Sequence, residues 1–184
     1  MEYQLTLPVQ DRETIEKLRA GDTVHLSGTL YTGRDAAHKR LCALLAEGKE
    51  LPMPIDGQGI YYTGPAPAPK GRVIGACGPT TSYRMDAYAP ALLDLGQAVM
   101  VGKGLRSEEV LCACMRNKAV YLAAPGGAGA YLASCVKECE VVAFPDLGTE
   151  AIHKLKVENM LLTVAIDTHG ASLYDIGREK YRQE

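Results

Sequence analysis

The sequence predicts an α/β fold built on a mixed β-sheet. Segments typical of strands alternate with segments typical of helices up to about residue 139, and strand-like segments then follow one another to residue 175. Alternation is typical of parallel strands with covering helices, and consecutive strands indicate an antiparallel region. With 184 residues and 47% hydrophobic content, the chain can bury a core of its own. We therefore expect a single domain over residues 1–184.

The first four segments alternate regularly. The stretch YQLTLPV resembles a short strand, and DRETIEKLRAG a short helix with Asp11 as N-cap and Gly21 at its end. A strand follows in DTVHLSGTLYTG, which alternates apolar and polar residues. Apolar residues at helical spacing then predict an amphipathic helix in RDAAHKRLCALLAEGK, ending at Gly48.

The middle of the chain is rich in loops. A short strand is expected at residues 60–63, and the run GPAPAPKG is interpreted as a loop within the domain. Strands are predicted in RVIGAC and AVMVG, with a helical stretch between them in MDAYAPALLDLG.

The last third changes character. A helix capped by Ser107 is expected in SEEVLCACMRNK, then a strand in AVYLAA and a helix in PGGAGAYLASCVKEC. Strands are predicted in EVVAF, KLKVEN and LLTVAIDTHGASLYD, with residues 168–170 turning the last hairpin.

Composition excludes several classes of partner. The formal net charge of −2 gives no reason to expect nucleic acid or an anionic membrane. Trp is absent and Phe occurs once, which argues against stacking platforms for single strands. The first residues lack the basic and apolar regions of a signal peptide, and no apolar run approaches the roughly 18 residues of a membrane span. We expect a cytoplasmic protein.

Six cysteines allow two interpretations. They are Cys42, Cys77, Cys112, Cys114, Cys135 and Cys139. In a reducing compartment free thiols are favoured over disulfides. The spacings CAC and CVKEC suggest metal ligation, but neither forms the C-x-x-C knuckle of a zinc ribbon. Cys135 and Cys139 are four residues apart in the predicted helix and would share a face, which favours core packing.

Three glycine-containing turns, each after a predicted strand, carry one cationic residue each. They are SGTLYTGRD with Arg34, CGPTTSYRMD with Arg84, and VMVGKGL with Lys103. Ligands of α/β sheets gather where the loops after strands converge, so three such loops suit a small polyanion. Each cation alone is more often a solvated surface residue.

Hydroxyl groups and one histidine lie near these cations. Among the consecutive residues Thr80, Thr81 and Ser82, one suffices to cap the next helix, and the others can face a ligand. His38 is one helical turn after Arg34 and can line the same site. A histidine of the surface or core with its hydrogen bonds satisfied is the favoured interpretation. These residues alone predict an anion-binding α/β domain.

Seven stretches, in order from about Leu26 to Asp175, give the chain a resemblance to one family. It resembles the β subunit, or C-terminal domain, of class I iron–sulfur hydro-lyases, namely fumarate hydratase and L(+)-tartrate dehydratase. The matching stretches are SGTLYTGRDAAHKR, IYYTGPAPA, GPTTSYRMD, VGKG, YLAAPGGAGAYLA, VVAFPDLGTEAIHKLKVEN and VAIDTHGASLYD. The combination of GPTTSxRMD with GKG is highly specific.

The resemblance implies a swivelling β/β/α domain that acts with an α subunit. That partner would carry a [4Fe–4S] cluster on its own cysteines, with one iron acting as a Lewis acid on the substrate. None of the six cysteines here would then be a ligand, and the chain alone would be inactive. Homodimerisation is a further form of assembly that we leave open.

By the same resemblance, Arg34, Arg84 and Lys103 match carboxylate-binding residues. Thr80 matches the residue assigned as the proton-abstracting base, and Thr81 matches a neighbouring substrate-binding residue. A threonine hydroxyl is a weak base in water, so this role needs nearby cations and a dry site.

Three interpretations of function follow from the sequence. The preferred one is the β subunit of a two-subunit hydro-lyase acting on a C4 dicarboxylate, fumarate or malate before tartrate. The alternative is a non-catalytic module that binds a small anion or docks on a partner. A third and weaker interpretation makes this chain itself the metalloprotein through its cysteine pairs.

Overall fold

A computed structural model describes residues 1–182 of the chain. In this part of the chain seven strands and six α-helices form in a largely alternating order. The strands are β1 (Glu2–Leu7), β2 (Thr23–Thr32), β3 (Gly59–Tyr61), β4 (Val99–Gly102), β5 (Val120–Ala123), β6 (Val136–Ala143) and β7 (Ile152–Ile166). The α-helices are α1 (Glu13–Glu16), α2 (Asp35–Ala46), α3 (Ala89–Asp94), α4 (Glu108–Asn117), α5 (Gly129–Ser134) and α6 (Leu173–Tyr181). Two 3₁₀ helices cover Ser82–Met85 and Pro145–Glu150.

All seven strands belong to one mixed sheet in the order β1-β2-β3-β4-β5-β7-β6. Strands β1 to β5 pair in parallel, whereas β7 is antiparallel to both β5 and β6. Strand β7 also pairs antiparallel with β2, so β2, β3, β4, β5 and β7 close into a barrel-like ring. The predicted α/β fold with a mixed sheet is confirmed.

The core occupies both faces of the sheet. Side chains alternate along each strand, so Val99 and Val101 of β4 enter one buried cluster and Met100 enters the other. Leu41 of α2, Leu92 of α3 and Val110 of α4 cover the second cluster. Strand β4 is therefore buried on both faces, as its uninterrupted apolar sequence indicates.

Two predicted elements in the first half differ from the structure. Helix α1 covers only Glu13–Glu16, and the Asp11 carboxylate accepts a hydrogen bond from the Glu13 amide at 2.9 Å. Residues 72–77 are an extended loop and not a strand, although Ile74 and Cys77 are buried as the pattern indicates. Their hydrogen bonds go to another loop, because the Gly75 amide donates to the carbonyl of Ala66 at 3.1 Å.

Two predictions near the C-terminal part were also wrong. Residues 136–139, predicted as the end of a helix, begin strand β6, because they pair with β7; the strand predicted from residue 140 is confirmed. Cys135 therefore precedes a strand that contains Cys139, and the shared helix face does not exist. The turn at residues 168–170 is present, but the chain then enters helix α6 and not another strand.

A search of residues 1–182 for a helix long and apolar enough to cross a membrane finds none.

Candidate functional site

The carboxyl ends of β2, β3 and β4 meet at one edge of the sheet. These parallel neighbours end at Thr32, Tyr61 and Gly102. Neighbouring strands lie about 4.8 Å apart, so the residues that follow them are close in space. Arg34 and Lys103 are thereby brought to the same edge, on either side of the loop after β3.

The segment with three consecutive hydroxyl residues crosses this edge. The Thr80 amide donates to the carbonyl of Tyr62 at 2.7 Å, and Thr81 forms a parallel bridge with Lys103. Further back, the Tyr61 hydroxyl donates to the carbonyl of Cys77 at 2.5 Å. Thr80 and Thr81 are therefore held beside Lys103, although no strand precedes them.

Ser82 does not cap a helix, contrary to one option in the sequence. Thr81 is the N-cap residue of the 3₁₀ helix and makes no side-chain capping bond. The Ser82 hydroxyl instead accepts a hydrogen bond from the Lys103 amide at 3.0 Å. A Cβ atom on Gly102 would lie 2.0 Å from this hydroxyl oxygen, so Gly102 provides the space that Ser82 occupies. The third hydroxyl thus joins the two loops.

Arg84 lies on the 3₁₀ helix that follows and is exposed. The helix begins at Ser82, which places Arg84 within one turn of the Lys103 loop.

The Arg34 side chain is restricted by an ion pair that the sequence does not indicate. It follows β2 directly, and its guanidinium pairs with the Glu150 carboxylate at 3.0 Å and approaches Asp35 at 3.8 Å. The side chains of Arg34 and Glu150 are 23% and 24% exposed. Gly64 lies against Arg34, since a Cβ atom there would be 3.2 Å from Arg34 Cδ. Arg34 is thus held in place by a carboxylate.

Glu150 is the residue of this edge that sequence reasoning missed. It ends the 3₁₀ helix Pro145–Glu150, far along the chain from Arg34. No spacing pattern links the two positions. The one signal in the sequence is that Glu150 belongs to VVAFPDLGTEAIHKLKVEN, one of the stretches that resemble the family.

His38 is a buried residue that contacts the backbone of Arg34. It is fully buried, its Nδ1 lies 2.9 Å from the carbonyl oxygen of Arg34, and its ring meets Tyr62 edge-on with centroids 5.3 Å apart. Burial lowers the pKa of His38 to about 4. Nδ1 therefore carries the hydrogen and donates to Arg34 from a neutral ring. The core interpretation of His38 is favoured over a lining role.

The cysteines do not contribute to this edge through their thiols. All six are free, and Cys77 is buried, which raises the pKa of its thiol to about 12. Within residues 1–182, no group of three or more His, Cys, Asp and Glu side chains is arranged to hold a metal ion. The described residues therefore do not fit an iron–sulfur cluster.

The arrangement is suited to anion binding. Arg34, Arg84 and Lys103 supply positive charge, and Thr80 and Thr81 supply hydroxyl groups on a segment whose backbone pairs with Lys103. Arginine binds carboxylates through a planar fork and lysine as a point charge. A small molecule with more than one carboxylate matches this set of donors.

Comparisons with known proteins identify a family and several relatives. The family model named Fumarase C-terminus matches residues 2–177. The chain is 43% identical over 151 residues to "Fumarate hydratase class I, anaerobic" of Escherichia coli (strain K12), which covers 81% of this chain and 28% of that protein. It is 36% identical over 165 residues to "Fumarate hydratase 2" of Leishmania major, covering 89% of this chain and 29% of that protein.

One relative matches over nearly its whole length. The chain is 39% identical over 181 residues to "Putative L(+)-tartrate dehydratase subunit beta" of Methanocaldococcus jannaschii, covering 95% of this chain and 92% of that protein. By contrast, the chain spans less than a third of the fumarate hydratases it matches. The family model and these identities together show that the chain belongs to the Fumarase C-terminus family.

Proposed function

We propose that this chain is the β subunit of a two-subunit hydro-lyase that adds water to, or removes it from, a C4 dicarboxylate. Fumarate and malate are the preferred substrate pair. The observation that carries the proposal is the meeting of Arg34, Lys103, Thr80 and Thr81 at one edge of the sheet, in a chain whose relatives are named fumarate hydratase and tartrate dehydratase.

The proposed roles follow from charge and placement. Arg34, Arg84 and Lys103 bind the two carboxylates, and Thr81 contributes a further hydrogen bond. Thr80 is the proposed base, as the family resemblance implies. Its segment is held by backbone pairing beside Lys103, and a cation that reaches its hydroxyl would favour the deprotonated oxygen. Glu150 holds Arg34 in place for this task.

The remainder of the enzyme would be supplied by a partner. The fumarate hydratases matched here are more than three times as long as the segment they share with this chain, since the match covers 28–29% of them. We propose an α subunit that carries a [4Fe–4S] cluster on its own cysteines, because the described residues of this chain offer no such ligand set. A cytoplasmic location is part of the same proposal, and homodimerisation of the chain stays open.

We retain the interpretation of residues 1–184 as one domain. A single sheet draws its strands from positions between Glu2 and Ile166, which supports it.

Reconstitution with the cluster-bearing partner tests the proposal. The chain and partner are mixed without oxygen, and fumarate formation from malate is followed by absorbance. We expect turnover with the pair and none with the chain alone.

Arg84→Ala should raise KM by about tenfold or more, the equivalent of one charge-assisted hydrogen bond. Arg19→Ala, an exposed arginine before the amino end of β2, is the control and should leave KM unchanged. No turnover of any 2-hydroxy dicarboxylate by the pair would refute the function, and an unchanged KM in Arg84→Ala would refute the site.

Tartrate is the second candidate substrate. The observation in its favour is the match to 92% of the length of the Methanocaldococcus jannaschii protein. The same complex, tested with tartrate and with malate, distinguishes the two by the ratio of their kcat/KM values.

A further inference from the structure

Two short segments carry most of the proposed site, and buried contacts join them at both ends. The first segment is residues 80–86, which includes Thr80 and Arg84, and the second is residues 103–107, which begins with Lys103. The ion pairs found within residues 1–182 include neither Arg84 nor Lys103. The position of the backbone therefore sets the region that each of these two side chains can reach.

The first junction is built around the hydroxyl of Ser82. The Ser82 amide donates to the carbonyl of Lys103 at 2.9 Å, and the Lys103 amide donates to Ser82 Oγ at 3.0 Å. The Tyr121 hydroxyl oxygen lies 2.9 Å from Ser82 Oγ and 3.1 Å from the carbonyl oxygen of Gly104. Ser82 and Tyr121 are both fully buried.

One proton arrangement satisfies all of these groups. A phenol has a single hydrogen, and the carbonyl of Gly104 can only accept. If Tyr121 donates to Gly104, then Ser82 donates to Tyr121 and accepts from the Lys103 amide. Burial raises the pKa of Tyr121, so this hydroxyl keeps its hydrogen at neutral pH. The chain of bonds links Ser82 to Lys103 and to Gly104.

The second junction is a buried ion pair. Asp86 accepts from Arg106 Nε at 2.6 Å through one oxygen and from the Ser107 amide at 2.6 Å through the other. The Arg106 side chain is 0% exposed, and its guanidinium lies 5.0 Å from the ring centroid of Tyr121 and 5.1 Å from that of Tyr62. The ring of Tyr121 thus contacts one junction while its hydroxyl belongs to the other.

Building on the proposed function, we propose that Tyr121 is a positioning residue of the hydro-lyase site, whose hydroxyl fixes the Lys103 loop against the Thr80–Arg84 segment. It acts through Lys103 and does not contact substrate. Loss of the hydroxyl leaves the Gly104 carbonyl without its donor and the Ser82 hydroxyl hydrogen without its acceptor. The loop can then move, which changes where the Lys103 ammonium lies.

A double-mutant cycle in the reconstituted complex tests this role. Tyr121→Phe keeps the ring that covers Arg106 and removes only the hydroxyl. We expect kcat/KM to fall about tenfold, mainly through a higher KM, which is the size of one buried hydrogen bond. In a Lys103→Met background the same substitution should change kcat/KM by less than about twofold, because the group through which Tyr121 acts is gone.

Two controls separate positioning from general damage. In an Arg34→Met background, Tyr121→Phe should keep its full effect, since Arg34 lies after a different strand. Tyr3→Phe removes a hydroxyl whose hydrogen bond, within residues 1–182, goes to Met1 Sδ at 3.4 Å, and should leave kcat/KM unchanged. If the effects of Tyr121→Phe and Lys103→Met simply multiply, the hydroxyl does not act through Lys103 and the proposal is wrong.

Amide hydrogen exchange gives a readout that does not depend on activity. In the Tyr121→Phe chain, exchange at Lys103 and Gly104 should accelerate about tenfold or more, while β4 at Val99–Val101 keeps the rate of the unsubstituted chain. Unchanged exchange at Lys103 overturns the inference even if the complex is an active hydro-lyase. Accelerated exchange in a chain whose complex shows no turnover would support the junction and refute the proposed function.

Discussion

Arg34 shows how a single residue of the site combines two tasks. Its position after β2 places it at the edge where Lys103 and Thr80 meet, and its guanidinium is already paired with Glu150 at 3.0 Å. Arginine has five N–H donors, so one carboxylate leaves others available to a ligand. The ion pair restricts the rotamers of a long side chain before a ligand arrives, which reduces the entropy lost on binding.

The strength of this ion pair can be measured by a double-mutant cycle. Arg34→Met, Glu150→Gln and the double variant are unfolded in urea, and the free energies of unfolding are compared. Because both side chains are about three-quarters buried, we expect a coupling free energy of about 1 kcal/mol, at the upper end of the range for surface pairs. A coupling near zero would show that Glu150 does not hold Arg34 in solution.

His38 should make stability depend on pH. Its pKa is about 4 in the folded chain and about 6.5 in the unfolded chain, so the unfolded state binds more protons between these values. The free energy of unfolding therefore rises with pH across this window and falls on acidification. The expected loss from about pH 6.5 to 4.5 is about 2 kcal/mol from this residue.

The measurement compares the pH dependence of two histidine variants. His38→Asn keeps a donor near the Arg34 carbonyl and removes the titrating ring, so it should lose this part of the slope. His169→Asn, at an exposed position, should keep it. Equal slopes in His38→Asn and the unsubstituted chain would mean that His38 is not neutral in the folded state.

At the scale of elements, the sequence predicted most of what depends on local pattern. The alternation of strands and helices from β1 to β5 followed from periodicity, and Ser107 caps α4 as expected by accepting from the Val110 amide at 3.4 Å. The failures depend on distant partners. Residues 72–77 have a strand-like composition, but β3 already has β2 and β4 on its two sides, so this segment crosses the edge as a loop.

Strand β6 and the Arg34–Glu150 pair illustrate the same limit. The helix predicted in PGGAGAYLASCVKEC included Cys139, whereas pairing with β7 makes residues 136–143 a strand. The cations Arg34 and Lys103 were found because each follows a strand, and Glu150 was missed because only the folded chain brings it to Arg34. Local pattern located the loops of the site and not the contacts between them.

The last residue of β4 gives a steric prediction. A Cβ atom on Gly102 would lie 2.0 Å from Ser82 Oγ and 2.9 Å from Tyr62 Cδ2, so Gly102→Ala should lower the free energy of unfolding by about 2 kcal/mol or more. Gly177 is inside helix α6, and a Cβ atom there meets nothing within 4 Å. Gly177→Ala should instead raise stability by about 0.5 kcal/mol. Urea unfolding of both variants checks the opposite signs, and a neutral Gly102→Ala would contradict the packing described.

At the scale of the whole molecule, the site lies on an open edge of the sheet. Thr80, Thr81 and Lys103 are partly exposed and Arg84 is exposed. A catalytic site that orders a small dianion and excludes water needs cover over this edge. The fumarate hydratases matched here contain much more chain than this segment, and the missing cover is consistent with the proposed partner.

The metal content of the chain alone tests which subunit binds the iron–sulfur cluster. The six cysteines are not grouped into a metal site in the described residues, and burial raises the pKa of Cys77 and Cys114 to about 12. We expect the chain, treated with iron and sulfide without oxygen, to retain neither in stoichiometric amount, while the partner treated alike binds both. One cluster per copy of this chain would make it the metalloprotein and overturn that assignment.

The ring of β2, β3, β4, β5 and β7 also has a consequence for the order in which the molecule forms. Strand β7 pairs Thr163 with Thr23 of β2 and Leu155 with Leu30, so the ring closes only when residues from opposite ends of the sequence meet. Contacts between such distant positions slow folding, because closing a large loop costs conformational entropy before the strand pairing can stabilise the closed state. Until β7 is in place, β2 and β5 each expose an unpaired side to solvent. A ribosome-bound chain that stops before β7 would therefore be an open sheet prone to association, and the edge that carries Arg34 would gain its ion pair with Glu150 only in the last stage of folding.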